Sequence, residues 1–185
     1  MDEPMPETIT SKAAPAKLRR SEIEARALEI LRAHGVGALP VDPVTLANRE
    51  GIKVHNAKFS DESLSGMVAK RGQDVTILVN QSDPPFRKRF TIAHELGHIY
   101  LHLCSDGDFI DTETDMFRET GETTEDLSPE KLMEVQANQF AAAILMPSDT
   151  VKSYFETHPR VSDLARLFNV SEEAMGFRLN RLGLT

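Results

Sequence analysis

Hydrophobic positions recur at helical spacing over most of the chain. The first apolar stripe predicts a helix that starts at an N-cap Ser21 and stops at Gly35. Its apolar members are Ile23, Ala27, Ile30 and Leu31. Similar periodicity or end signals predict further helices over residues 43–50, 84–102, 130–145, 148–158, 162–168 and 171–179.

One region between the second and third of these helices is typical of strands instead. Its segments are 52–55, 64–70 and 75–80. Residues 71–74 are polar and contain a glycine, which predicts a hairpin turn between the last two strands. The pattern as a whole predicts the α+β fold class, with a small antiparallel sheet beside the helix over 84–102.

Composition divides the chain into parts. Residues 1–17 contain three prolines and few large apolar residues, which predicts a disordered tail. Residues 18–158 form the main predicted domain, and residues 159–185 form a C-terminal helical pair that resembles a helix-turn-helix in pattern. Because this pair has a net charge of only +1, we favour packing or substrate docking for it and keep direct DNA binding as the weaker alternative.

Charge is concentrated in one insert of the main domain. The whole chain carries a net charge of −8, yet residues 105–130 alone contain ten acidic residues and a single basic one, Arg118. An acidic stretch of this length, here 105–129, is too long for a plain connection and is predicted to be mobile, either disordered or a lid.

The remaining composition excludes several classes of protein. The single cysteine, Cys104, excludes an internal disulfide and a multi-cysteine zinc finger, and we expect an inert thiol there. The first residues have no apolar core typical of a secretion signal, and no run of 18 apolar residues occurs. We therefore expect a cytoplasmic protein with no membrane partner.

The chemistry centres on the string His94-Glu95-Leu96-Gly97-His98. On a helix, residues four apart share a face, so both imidazoles can converge on one metal ion, and neutral imidazole is a good zinc ligand. Glu95 lies beside such an ion, where the general base for a metal-activated water belongs. The alternative is a surface helix that has this spacing by chance.

A catalytic zinc also needs a third protein ligand. His102 continues the four-residue step, but eight residues of helix rise about 12 Å, so we expect it beside the site and not on the ion. Glu134 is preferred because it lies beside the apolar residues that would pack its helix on the first, where an acidic side chain needs a partner that a metal would supply. Asn138 shares its helix face and could hold a ligand imidazole. The alternative is that Glu134 is an exposed glutamate of a first turn. Less favoured candidates in the acidic insert are Asp106, Asp108, Asp111 and Glu113.

Two further roles are left open at this stage. Tyr100 and His102 are the nearest candidates in sequence for a second donor to the developing oxyanion. The strand over 64–70 offers an edge that could pair with an extended substrate, or it is purely structural.

Two separated motifs carry a family resemblance. The string RFTIAHELGH from Arg89 to His98 and the later EVQANQFAAAILMP from Glu134 to Pro147 resemble the ImmA/IrrE family of zinc metallopeptidases. The resemblance covers about residues 20–150. The chain departs from the family pattern at Gln136, where an acidic residue is frequent, and in the long acidic insert.

The resemblance implies a zincin-like metallopeptidase domain. By it, one Zn²⁺ per chain is bound by His94, His98 and Glu134 in a gluzincin-like arrangement, and Glu95 is the catalytic glutamate. It further implies a zinc endopeptidase that cleaves a helix-turn-helix repressor of the XRE type and so derepresses mobile-element or stress-response genes.

Two other classes of function remain. One is a metal-binding transcriptional regulator that acts by binding DNA through residues 161–184, or by binding a repressor without cutting it. The other is a metal-dependent component of a toxin–antitoxin pair. Glu95→Gln separates an enzyme from a binder, because it should abolish catalysis and leave binding largely unaffected.

Overall fold

The computed structural model describes residues 16–61, 63–102 and 127–184, together with the backbone of residues 110–113. Its helices are α1 (Arg20–Ala33), α2 (Pro43–Arg49), α3 (Pro85–Leu101), α4 (Pro129–Leu145), α5 (Ser148–Phe155), α6 (Val161–Phe168) and α7 (Glu172–Leu182). Its strands are β1 (Lys53–Ala57), β2 (Gly66–Arg71), β3 (Asp74–Asn80) and β4 (Ile110–Glu113). The α+β fold class is confirmed.

The strands form one sheet in the order β1-β3-β2-β4. The predicted hairpin is present, with Arg71 opposite Asp74 and Gly72 in the turn at a φ of +57°. However, β1 pairs parallel with β3, from Lys53 opposite Thr76 to Ala57 opposite Asn80. The prediction of an antiparallel sheet was therefore wrong for this pair. After β1, the chain leaves the width of one strand free before it forms β2. The hairpin that follows β2 places β3 in this gap. Strand β3 therefore runs antiparallel to β2 and in the same direction as β1.

Strand β4 comes from the acidic insert and was not predicted. It pairs antiparallel with β2, with Glu113 opposite Gly66 and Ile110 opposite Ala69. Residues 103–109 and 114–126 lie outside the described residues, and so do residues 1–15. The predicted mobility of the insert and the predicted disorder of the tail therefore stay predictions.

The cap of α1 differs from the prediction. The N-cap is Arg19, two residues before the predicted Ser21. Its backbone N–H donates to Oε2 of Glu22 at 2.6 Å, because the carboxylate of a third helical residue reaches back over the first turn. The N-cap of α2 is Asp42, which accepts from the backbone N–H of Val44 at 3.1 Å.

Helices α3 and α4 cross at a glycine. A Cβ atom added to Gly97 would lie 2.9 Å from Cα of Ala137, closer than ordinary contact, so only glycine permits this approach of the two backbones. Around the crossing, the side chains of Leu96, Phe140 and Ile144 are fully buried. This crossing brings the two helices that carry the candidate ligands together.

The C-terminal helices α6 and α7 pack on the rest of the chain. Their buried residues belong to the same hydrophobic core as those of α3 and α4, and include Leu164, Phe168, Met175 and Leu179. Arg178 is nearly fully buried, forms a bidentate ion pair with Glu24 of α1, and donates from Nε to the carbonyl oxygen of Met146 at 2.9 Å. Within the described parts of the chain, no helix is both long and apolar enough to span a membrane.

Candidate metal centre

Three side chains from two helices converge at the α3/α4 interface. His94 and His98 lie one turn apart on α3 and are buried. Glu134 lies in the second turn of α4, its Oε2 3.3 Å from Nε2 of His94 and its Oε1 3.3 Å from Nε2 of His98. The sequence-predicted ligands are therefore brought together around one point.

The separations suit a single tetrahedral ion. One potential donor atom from each residue lies within 4.8 Å of the other two, and the two Nε2 atoms are 2.8 Å apart. In a zinc site with bonds of about 2.0–2.1 Å, neighbouring donor atoms are roughly 3.3 Å apart. Two imidazoles and one carboxylate are also the donor set of many catalytic zinc sites. The residues present therefore fit Zn²⁺.

Asn138 orients one of the imidazoles. Its Oδ1 lies 2.9 Å from Nδ1 of His94. An amide oxygen only accepts, so His94 donates from Nδ1, and its Nε2 directs a lone pair towards His98 and Glu134. A hydrogen bond on the distal nitrogen is the usual way to fix the tautomer and the ring orientation of a metal-binding histidine.

The carboxyl of Glu134 is held ionised. Burial by itself would raise the pKa of Glu134, but the interactions with the rings of His94 and His98 outweigh it and hold the pKa well below the usual range. A metal ligand has to be deprotonated before the ion binds. The side chain is therefore in the ligand state over the whole physiological range.

Glu95 follows His94 in α3 and lies against strand β2 of the sheet. Its side chain is 1% exposed. A Cβ atom on Gly66 of β2 would lie 3.0 Å from Oε1 of Glu95 and only 2.3 Å from Cγ2 of Thr91. The absence of a side chain at Gly66 therefore lets the backbone of β2 lie directly against Glu95.

His102 lies beside the cluster but outside it. Its ring centroid is 5.6 Å from that of His98, and it is absent from the group of three potential ligands found among the described residues. Burial, followed by the proximity of His98, lowers the pKa of His102 to about 4. The ring is therefore neutral at physiological pH and can act as a neutral hydrogen-bond donor or acceptor.

Tyr100 is the one candidate that the structure directs elsewhere. Its ring packs 5.7 Å from Phe140, and its hydroxyl pKa is raised by burial and then by Glu50, which follows α2. The reason is helix geometry, because two residues beyond His98 is about 200° around the helix. Its candidacy as a donor to an oxyanion is therefore corrected.

Other candidates fall outside the described side chains or were missed. The side chains of Asp106, Asp108, Asp111, Glu113 and Cys104 lie outside the described residues.

The glycines of the two close approaches, Gly66 and Gly97, were not predicted to have this role. The available signal was a glycine inside a predicted strand and another inside a predicted helix, which often mark close backbone contact.

Comparison with solved structures supports the fold. A chain titled as a Mycobacterium tuberculosis transcriptional regulator superposes with a TM-score of 0.59. The match covers 85% of the present chain and 46% of that chain, at 20% sequence identity. At this identity the similarity establishes a shared fold.

Comparison with known sequences adds the family. The chain is 34% identical over 107 residues to the radiation response metalloprotease IrrE of Deinococcus radiodurans. The aligned part is 56% of this chain and 30% of IrrE, so the chain spans less than a third of that relative's length. The family model of peptidase M78, described as the IrrE N-terminal-like domain, matches residues 47–180, a span that contains every residue of the metal centre. The chain therefore belongs to the peptidase M78 family of IrrE N-terminal-like domains.

Proposed function

We propose that this protein is a zinc-dependent endopeptidase that cleaves a helix-turn-helix transcriptional repressor of the XRE type. The observation that carries the proposal is the grouping of His94, His98 and Glu134 around one point, with the buried Glu95 directly after His94 in α3. A purely structural metal site would be closed by four protein ligands, whereas three ligands and an adjacent carboxyl are typical of a hydrolytic site.

Each residue has a distinct role in the proposed reaction. His94, His98 and Glu134 would hold one zinc ion per chain, and Asn138 keeps His94 in the ligand tautomer. Zinc supplies Lewis-acid chemistry, which polarises a scissile carbonyl and lowers the pKa of water. Glu95 accepts a proton from the attacking water and passes it to the leaving amine.

The choice of substrate rests on the family. The relative from D. radiodurans is named a radiation response metalloprotease, and the structural neighbour is titled a transcriptional regulator. The first title connects a metalloprotease with a stress response and the second connects this fold with transcriptional regulation, which supports a repressor as the protein cleaved and a stress response as the outcome. The resemblance of the two motifs to the ImmA/IrrE family points the same way.

A paired cleavage screen tests the proposal. Wild type and Glu95→Gln, each loaded with zinc, are incubated with lysate of the source organism, and new protein N-termini are mapped. Glu95→Gln is a matched control because it keeps the size and all three ligands and removes only the base. We expect termini specific to the wild type, within a helix-turn-helix repressor.

Metal content decides how a negative result is read. If both proteins carry one zinc per chain and no termini differ, a constitutively active endopeptidase is excluded, and a latent protease that needs a signal or a regulator that acts by binding takes its place. If termini differ in proteins other than repressors, the endopeptidase stands and the proposed substrate fails.

A further inference from the structure

Strand β4 occupies the outer side of β2. The strand over 64–70 was predicted either to offer an edge to an extended substrate or to be purely structural. In the structure both sides of β2 are paired, with β3 on one side and β4 on the other. Four consecutive residue pairs hold β4, from Gly66 opposite Glu113 to Ala69 opposite Ile110. The edge is therefore filled by a segment of the same chain.

This edge is the part of the sheet that meets the proposed reaction site. Gly66 is the β2 residue whose missing Cβ would lie 3.0 Å from Oε1 of Glu95. The same residue is the partner of Glu113 in β4. An extended chain that lies along the outer side of β2 therefore passes Gly66 and reaches the neighbourhood of Glu95.

A protease must hold its substrate in an extended conformation so that a peptide bond is accessible. Addition of a strand to a sheet edge is a general way to do this, because main-chain hydrogen bonds bind the segment whatever its sequence. The outer side of β2 has the required position, but a substrate strand and β4 need the same backbone N–H and C=O groups.

We infer that β4 is an internal competitor, which occupies the substrate-strand position on β2 and holds the enzyme in a self-inhibited state. The inference rests on the proposed endopeptidase function and adds its regulation and substrate form. The substrate is an extended, non-helical segment of a protein, and it binds only after β4 leaves β2. A strand of four residues forms few main-chain hydrogen bonds, so another extended segment can displace it.

Backbone substitutions in β4 separate pairing from side-chain effects. Asp111→Pro/Thr112→Pro removes two consecutive backbone N–H groups, and because N–H groups alternate in direction along a strand, one of them faces β2. Asp111→Ala/Thr112→Ala is the matched control, since it removes the same side chains and the same charge and keeps both N–H groups. Both pairs are made in the full-length, zinc-loaded protein.

Binding is measured separately from catalysis. In a Glu95→Gln background, a fluorescein-labelled synthetic peptide with the sequence of residues 108–115 is titrated and followed by anisotropy. We expect the proline pair to bind the peptide at least about tenfold more tightly than the alanine pair, because the position on β2 is no longer occupied. With Glu95 intact, we expect the proline pair to hydrolyse fluorescein-labelled casein about tenfold faster than the alanine pair.

The outcomes distinguish the two proposals. Equal peptide binding by the proline and alanine pairs overturns the internal competitor, whatever the rate of hydrolysis. Tighter binding by the proline pair without hydrolysis of any protein by any variant supports the competitor and removes the endopeptidase. If the proline pair does not fold, Asp111→Gly/Thr112→Gly replaces it, because glycine weakens a strand through backbone entropy. The glycine pair is then expected to bind the labelled peptide about fivefold more tightly than the alanine pair.

Discussion

The crossing of α3 and α4 allows a sharp test with Gly97→Ala. The added Cβ would lie 2.9 Å from Cα, 3.1 Å from the carbonyl oxygen and 3.3 Å from Cβ of Ala137. The first two of these are backbone atoms, so no side-chain rotation relieves the overlap. Ordinary carbon contacts begin at about 3.5 Å, so the two helices have to separate by roughly 0.5 Å.

Two effects of this substitution oppose each other. Alanine improves helix propensity over glycine by up to about 1 kcal/mol. Overpacking of a buried contact costs about 1–3 kcal/mol, and here it acts on a rigid backbone. We therefore expect a net loss of about 1–2 kcal/mol in the free energy of unfolding. Because α3 carries the histidines and α4 carries Glu134, the same separation should weaken zinc binding by about tenfold.

Gly176→Ala is the matched control in this chain. Gly176 also lies inside a helix, α7, but a Cβ there would have no atom within 4 Å. We expect it to raise stability by about 0.5–1 kcal/mol and to leave zinc affinity unchanged. Urea unfolding followed by circular dichroism measures the first quantity, and competition with a chromophoric chelator measures the second. If Gly97→Ala stabilises the protein as Gly176→Ala does, with unchanged zinc affinity, the close approach has no energetic importance.

Three further predictions concern other side chains of the domain. Asn138→Ala should weaken zinc binding about 10- to 100-fold in the chelator assay, because it removes the acceptor for Nδ1 of His94. The unfolding midpoint of the metal-free protein should not change, and an unchanged zinc affinity would contradict the role of Asn138. Arg178→Met should lower the free energy of unfolding in urea by about 3 kcal/mol, because Glu24 loses its partner in a mostly buried ion pair. A loss below about 1 kcal/mol would show that water solvates this pair. The pKa of His102 is lowered from 6.5 to about 4 in the folded state, so folding favours the neutral ring. In the metal-free protein, the free energy of unfolding should be retained above pH 6.5 and should fall between pH 6.5 and pH 4 more steeply than in His102→Gln. Parallel pH profiles of the two proteins would refute this.

The grouping of the candidate ligands could be predicted because it depends on local geometry. His94 and His98 need only a helix, and the apolar period of that segment predicts one. Glu134 is 36 positions further along the chain than His98, yet it shares a helix face with Asn138 beside the apolar residues that pack α4 on α3. The structure places its oxygens 3.3 Å from both imidazoles. Local period and chemistry together were sufficient here.

The arrangement of the sheet could not be predicted in the same way. The direction of β1 relative to β3 depends on the path of the chain over residues 58–65, and that path carries no periodic signal. Strand β4 is held by main-chain pairing, and its sequence, IDTE, has no alternation of large apolar residues. Tyr100 is a different kind of miss, since a helical wheel already places it away from the face of His98.

Arg89, the first residue of the signature string, connects parts of the fold. Its Nη2 donates to the carbonyl oxygen of Val41 at 2.6 Å, and its Nε donates to the carbonyl oxygen of Asn169 at 3.2 Å, so it joins α3 to two connecting segments. The signature string therefore combines residues of the candidate metal centre with a residue that ties separate parts of the domain together. A substitution of Glu95 would leave both contacts of Arg89 in place. A match to the whole string therefore reports the fold of this domain as well as the candidate site.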